Sequence, residues 1–278
     1  MSFGTRLRGS LDALGPLGVG IDPHAALLDA WGLPQGPDGL REFGLRVVDA
    51  AVGRVAAVKP QVAFFERFGS AGFAALEAVL AQARDAGLIV VADAKRGDIG
   101  STMAGYTSAW LEPGSPLEAD AVTLSPYLGA GTLRDAIAAA EAAGKGVFVM
   151  GANSNPEAAE LQRAVAATGE HVAALVVREA TASNPDGELG SVGVVVGATI
   201  DRLSFGLTDD VLAGAPILAP GFGAQGATPD DLAERFGALA GNVMAFESRS
   251  VLSAGPAALA ARIDERAAAY REVRHGGE

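Results

Sequence analysis

Eight short apolar runs punctuate the chain: LGVGID (17–22), VAAVKP (55–60), LIVVAD (88–93), DAVTLS (120–125), GVFVM (146–150), VGVVVGA (192–198), PILAP (216–220) and NVMAF (242–246). They are continuously apolar rather than alternating, as parallel strands covered on both faces are. Between them lie longer segments of helical periodicity, among them GFAALEAVLAQARDAG, GTLRDAIAAAEAAG and TPDDLAERFGALAG. Several end at glycine, the common residue just past a helix. Thr228-Pro229 followed by Asp230-Asp231 reads as an N-cap and first turn. Eight strand–helix units predict an α/β fold of the (β/α)8 class, a TIM barrel. A doubly wound open sheet uses the same alternation, and counting strands does not decide closure. No linker divides the chain, so the expectation is a single barrel domain over residues 1–278 with a short N-terminal helix. The Pro/Gly-rich pieces at 32–39, 111–120 and 183–190 read as loops, and the end, His275-Gly-Gly-Glu, as frayed.

Composition narrows the function. Of the 278 residues 49% are hydrophobic, enough for a large core. The net charge of −12 argues against nucleic-acid or anionic-membrane partners, because that field repels phosphates at long range. One small phosphorylated ligand in a local basic pocket stays compatible with it. There is no cysteine, hence no disulfide, thiolate nucleophile or Cys metal site, and with only three histidines no metal is expected. The opening MSFGTRLRGSLDAL lacks the apolar core of a signal peptide, and no apolar stretch is long enough to span a bilayer. A cytoplasmic protein is expected. Only three of the 21 basic residues are lysines, Lys59, Lys95 and Lys145, so a lysine here is a candidate for what arginine cannot do, such as giving up a proton; a compositional bias toward arginine that leaves three incidental lysines is the competing reading.

In a βα barrel chemistry sits at the carboxyl ends of the strands. The first run ends in Asp22, the second in Lys59, and the third in Asp93 and Lys95, with Asp98 beyond. Residues two apart on a strand share a side, so Asp93 and Lys95 both face the mouth. A lysine held among carboxylates stays charged, can stabilise developing negative charge and can donate a proton. A plain rim network of ion pairs is the competing reading of Asp-x-Lys-x-x-Asp. The seventh run leads into Pro220-Gly221-Phe222-Gly223-Ala224-Gln225-Gly226 and the eighth into Glu247-Ser248-Arg249-Ser250. Barrels often hold phosphate with these two loops. Glycines let backbone N–H groups approach an anion, and Arg249 adds a permanently charged fork; taken singly, the glycines also fit an ordinary tight loop and Arg249 a solvated surface charge. His24 reads as structural, and Trp31 and Trp110 as packing anchors.

These motifs resemble one family. GIDP (20–23), VKPQVAFFE (58–66), DAKRGDIGST (93–102), NSNP (153–156), VGAT (196–199), APGFGAQG (219–226) and SRS (248–250) occur in the order found in orotidine 5′-phosphate decarboxylases of the longer bacterial type. The resemblance implies decarboxylation of orotidine 5′-monophosphate to UMP, the last step of pyrimidine nucleotide synthesis, without metal or organic cofactor. It implies that Lys95 stabilises and then protonates the C6 carbanion and that Asp93 faces the departing carboxylate. Lys59 and Asp98 complete the charge array. Asp98, Ile99 and Thr102 would reach into the neighbouring site of a homodimer. Asp22 would bind ribose and Ser154 the pyrimidine edge. Gln225 and Arg249 would hold phosphate, with Pro220 and Gly221 shaping the pocket. Ser248 departs from the glycine common before the phosphate arginine. Three rivals use the same barrel: a metal-assisted enediolate enzyme acting on a sugar phosphate, a Schiff-base aldolase, and a nucleotide-binding regulator without turnover.

Overall fold

The computed structural model describes residues 1–275; the last three residues of the tail expected to fray lie outside them. Eight parallel strands close in sequence order, β1 (Leu17–Ile21), β2 (Ala57–Pro60), β3 (Ile89–Arg96), β4 (Ala121–Leu124), β5 (Gly146–Ala152), β6 (Val192–Val196), β7 (Ile217–Pro220) and β8 (Val243–Glu247). Closure is the pairing of β1 with β8, Leu17 opposite Ala245 and Val19 opposite Glu247. This decides for the (β/α)8 barrel over an open sheet.

Before β1 comes α1 (Phe3–Leu14). Then α2 (Ala25–Ala30) and α3 (Pro37–Ala51) follow β1, α4 (Ala63–Glu66) and α5 (Gly69–Asp85) follow β2, and α6 (Gly100–Leu111) follows β3. Next come α7 (Arg134–Ala142) after β4 and α8 (Pro156–Gln162) with α9 (Val172–Ala180) after β5. After β7 comes α10 (Asp230–Phe236), and after β8 come α11 (Arg249–Leu252) and α12 (Leu259–His275). Two expectations are corrected. The Pro/Gly-rich loop ends at Gly36, because Pro37 is pre-set for the first turn of α3. Between β6 and β7 the described chain forms only a 3-10 turn, Arg202–Phe205, which Asp201 caps through the Leu203 N–H and left-handed Gly206 terminates.

Strand alternation sorts the core into two. Ala57, Ile89, Val91, Ala121, Phe148, Leu218, Met244 and Phe246 point inward. Phe3, Leu7 and Leu11 of α1 join this cluster and seal one end of the barrel, Phe3 meeting Phe148 edge-on at 5.9 Å. The alternate residues, such as Val58, Val90, Ala92, Val243 and Ala245, face the surrounding helices with Trp31 and Trp110. With α1 plugging the other end, the inward row opens at the carboxyl ends of the strands.

Candidate active site

The inward row turns polar where each strand ends. On β2 it runs from Ala57 to Lys59; on β3 from Ile89 and Val91 to Asp93 and Lys95; on β4 from Ala121 to Thr123. Asp93 is the hub. One carboxylate oxygen accepts from Lys59 Nζ at 2.8 Å, the other from Lys95 Nζ at 2.6 Å and from Thr123 Oγ1 at 3.1 Å. Lys59 is 6% exposed and lies 5.7 Å from the centre of the Phe246 ring. Burial pulls the Lys59 ammonium toward neutrality, but the charges of Asp93 and Asp22 and the bond to Asp93 outweigh it and hold its pKa above the ordinary lysine value. Burial likewise pushes Asp93 up, yet Lys59 and Lys95 override it and hold its carboxyl down at about 2. Both partners therefore favour the charged pair.

The backbone contributes to this array. Lys95 is the one non-glycine residue with positive φ, +50°, among those described. The β3–β4 register shifts between Ala92 and Arg96, so the strand bulges where the lysine sits. The Lys95 N–H donates to Thr123 Oγ1 at 2.9 Å, and that hydroxyl donates on to Asp93. Thr123 thus supports the strained backbone and the carboxylate together.

A cavity of about 500 Å³ opens beside the hub, lined among others by Asp22, His24, Lys59, Gln61, Asp93, Pro220, Gly221, Gln225, Ser248 and Arg249. The Arg249 guanidinium makes no hydrogen bond or ion pair with the described residues, and Asp22 Oδ1 and His24 Nε2 are buried polar atoms without a partner among them. The cavity therefore offers a free cation at one end and the lysine–aspartate array at the other. A second cavity of about 390 Å³ lies on the far side of Lys95, against Ser125, Tyr127, Met150, Asn153 and Gln162.

The structure does not bring every predicted residue together. Ser154 lines neither cavity; it sits on the rim against Gly197. Asp98 does not touch Lys95 but accepts the Ile99 N–H at 2.8 Å, and Ile99 and Thr102 are exposed at the start of α6. Gln61 and Thr123 were not picked out, though both border the array or its cavity, and His24, read as structural, lines the same cavity. Gln61 bridges to Asp93 by backbone and comes within 3.5 Å of Lys95 Nζ. Its signal was the apolar run ending at Pro60, which places residue 61 on the rim. Among the described residues no group of three or more His, Asp or Glu side chains is placed to hold a metal.

A closed βα barrel with a lysine–aspartate–lysine chain at its mouth and a free arginine across the cavity defines the class: a barrel enzyme that manages negative charge on a phosphorylated substrate. The chain belongs to the orotidine 5′-phosphate decarboxylase / HUMPS family, whose model matches residues 15–263. It is 52% identical over 261 residues to the orotidine 5′-phosphate decarboxylase of Streptomyces coelicolor, covering 94% of this chain and 93% of that one. With the protein of that name from Salinispora arenicola it shares 53% identity over 95% of each chain. A Streptomyces avermitilis crystal structure assigned to the same activity superposes with a TM-score of 0.93 at 51% identity, over 98% of this chain and 95% of that one.

Proposed function

We infer that this chain decarboxylates orotidine 5′-monophosphate to UMP, with Lys95 as the group that meets the charge. The observation that carries the reading is the Lys59–Asp93–Lys95 chain, fixed by hydrogen bonds of 2.8 and 2.6 Å before any substrate arrives. When the bond from C6 to the carboxylate breaks, its electron pair stays on C6 and carbon dioxide leaves. The Lys95 ammonium lies against that carbon, stabilises the pair and passes it a proton; water returns a proton to the amine. Preset charges need no reorganisation as the reaction proceeds. Asp93, ionised and anchored, faces the departing carboxylate. Asp22 takes a ribose hydroxyl, Gln225 and Arg249 the phosphate beside Pro220 and Gly221, and Ser154 swings from the rim to the pyrimidine edge. The remote phosphate supplies binding energy expressed at the reacting carbon.

We also propose a cytoplasmic homodimer with shared sites. Asp98, Ile99 and Thr102 make no hydrogen bond to the Lys95 array of their own chain, Ile99 is 59% exposed, and a groove of about 340 Å³ continues from Gly100 between α6 and α7. These three residues complete the array of the neighbouring subunit.

The test is the ultraviolet absorbance of orotidine 5′-monophosphate on mixing with EDTA-treated protein. Loss of the orotate chromophore with UMP as product is expected, and Lys95→Ala should abolish it while the chain stays folded. Wild-type-like turnover by Lys95→Ala overturns the assignment; turnover that returns only with Mg²⁺ overturns the metal-free route.

A further inference from the structure

We infer that Glu247, together with Arg266 and Tyr270 of α12, positions the phosphate end of the site from behind the barrel wall. The inference rests on Gln225 and Arg249 as the phosphate holders. Along β8, Met244 and Phe246 point into the barrel while Val243 and Ala245 point out. Glu247 keeps the outward phase, so it faces α12 and cannot touch a substrate in the mouth. It is nevertheless 0% exposed. Its carboxylate accepts from Arg266 Nε at 3.0 and 3.1 Å, from the Arg266 guanidinium NH2 at 2.7 Å, from Tyr270 Oη at 2.8 Å and from Ser250 Oγ at 2.6 Å.

A buried ion pair is weak evidence for stability, since well-packed apolar side chains of the same size often do as well. What this pair touches gives it another use. Ser248 and Arg249 follow it directly, and the Ser250 hydroxyl ties the next turn back to it. From the other side comes the β7 loop. A Cβ on Gly223 would stand 2.2 Å from Ser250 Oγ and 2.9 Å from Glu247 Oε2. Phe222, next to it, packs edge-on against Tyr270 with ring centres 5.7 Å apart. The loop that carries Gln225, the turn that carries Arg249 and the last helix therefore meet at one carboxylate. The backbone that carries both holders is thus fixed before the phosphate arrives, and less ordering remains to oppose binding.

The experiment compares kcat and KM for orotidine 5′-monophosphate and for orotidine, the same molecule without phosphate. Tyr270→Phe and Ser250→Ala each remove one hydroxyl and leave the Glu247–Arg266 pair; Glu247→Gln is the stronger variant, and the two milder ones carry the test where it does not fold. For the phosphorylated substrate kcat/KM should fall about ten- to a hundredfold, the size expected of an ångström-scale misplacement, mainly through KM. For orotidine it should stay within about twofold, and Tyr270→Phe should add little to Arg249→Ala, as for residues acting through one another. Equal losses on both substrates mean a general structural role and overturn the inference, as does an undiminished kcat/KM. Arg249→Ala alone separates the two claims: if it does not discriminate between the substrates, the phosphate assignment fails; if it does and the hydroxyl variants do not, only the positioning role fails.

Discussion

Thr123 sits beneath Lys95 and carries a burden out of proportion to its size. Its hydroxyl accepts the Lys95 N–H and donates to Asp93, so one oxygen holds both a strained backbone and the hub carboxylate. Thr123→Val keeps the shape and removes the oxygen. It should lower kcat about ten- to a hundredfold with KM little changed, and Thr123→Ser should restore most of it. A KM effect of the same size would show substrate contact instead. Asp93 makes a prediction about pH. Its carboxyl titrates at about 2 in the folded chain against an ordinary 3.8. A depressed pKa means stability that is present above the unfolded value and lost as pH falls through the folded one. The stability gap between wild type and Asp93→Asn, followed by denaturant unfolding, should therefore narrow by about 2 kcal/mol as pH drops from about 4 to about 2. A constant gap would contradict the charged pair. At this scale much was legible, since the strand-end acids and lysines stand out against apolar runs. Thr123 did not, because a threonine inside DAVTLS looks like any β-branched strand residue until the neighbouring strand places Lys95 over it.

Among the elements, α1 and the β7 loop matter for different reasons. Phe3 is fully buried against the barrel floor, far along the inward row from the charge array. Phe3→Ala should cost about 3–5 kcal/mol in unfolding free energy through the cavity it leaves, with KM for the nucleotide unchanged where the variant is folded. A raised KM would mean that the floor is coupled to the mouth. The strands and most helices were readable because apolar runs and helical periodicity are local properties. The stretch between β6 and β7 was not, since DRLSFGLTDDVLAGA has helix-like composition and the turn there is set by the Asp201 cap and by Gly206 at φ +73°. The outward phase of Glu247 was likewise hidden: a strand-end acid reads as a mouth residue unless its register with Met244 and Phe246 is known.

For the whole molecule, the proposed shared-site dimer has a direct consequence. Lys95→Ala and Asp98→Ala, each inactive by itself, should regain about a quarter of wild-type activity when mixed and allowed to exchange, because half the dimers are hybrid and each hybrid has one intact site of two. No recovery, with exchange shown by mass, would place Asp98 in its own subunit's site or in none. The one-domain reading, a proposal in its own right, predicts a single cooperative unfolding transition for fluorescence and circular dichroism alike. The closed barrel also bears on time. The lysine–aspartate array comes from β2, β3 and β4, the proposed phosphate end from β7 and β8, and the pairing of β1 with β8 completes the ring that joins them. That seam joins residues far apart in sequence, the kind of contact that forms slowly in folding. During refolding, secondary structure should therefore return first and turnover last, and at protein concentrations high enough that the lag no longer depends on subunit association it measures the rate at which the ring shuts.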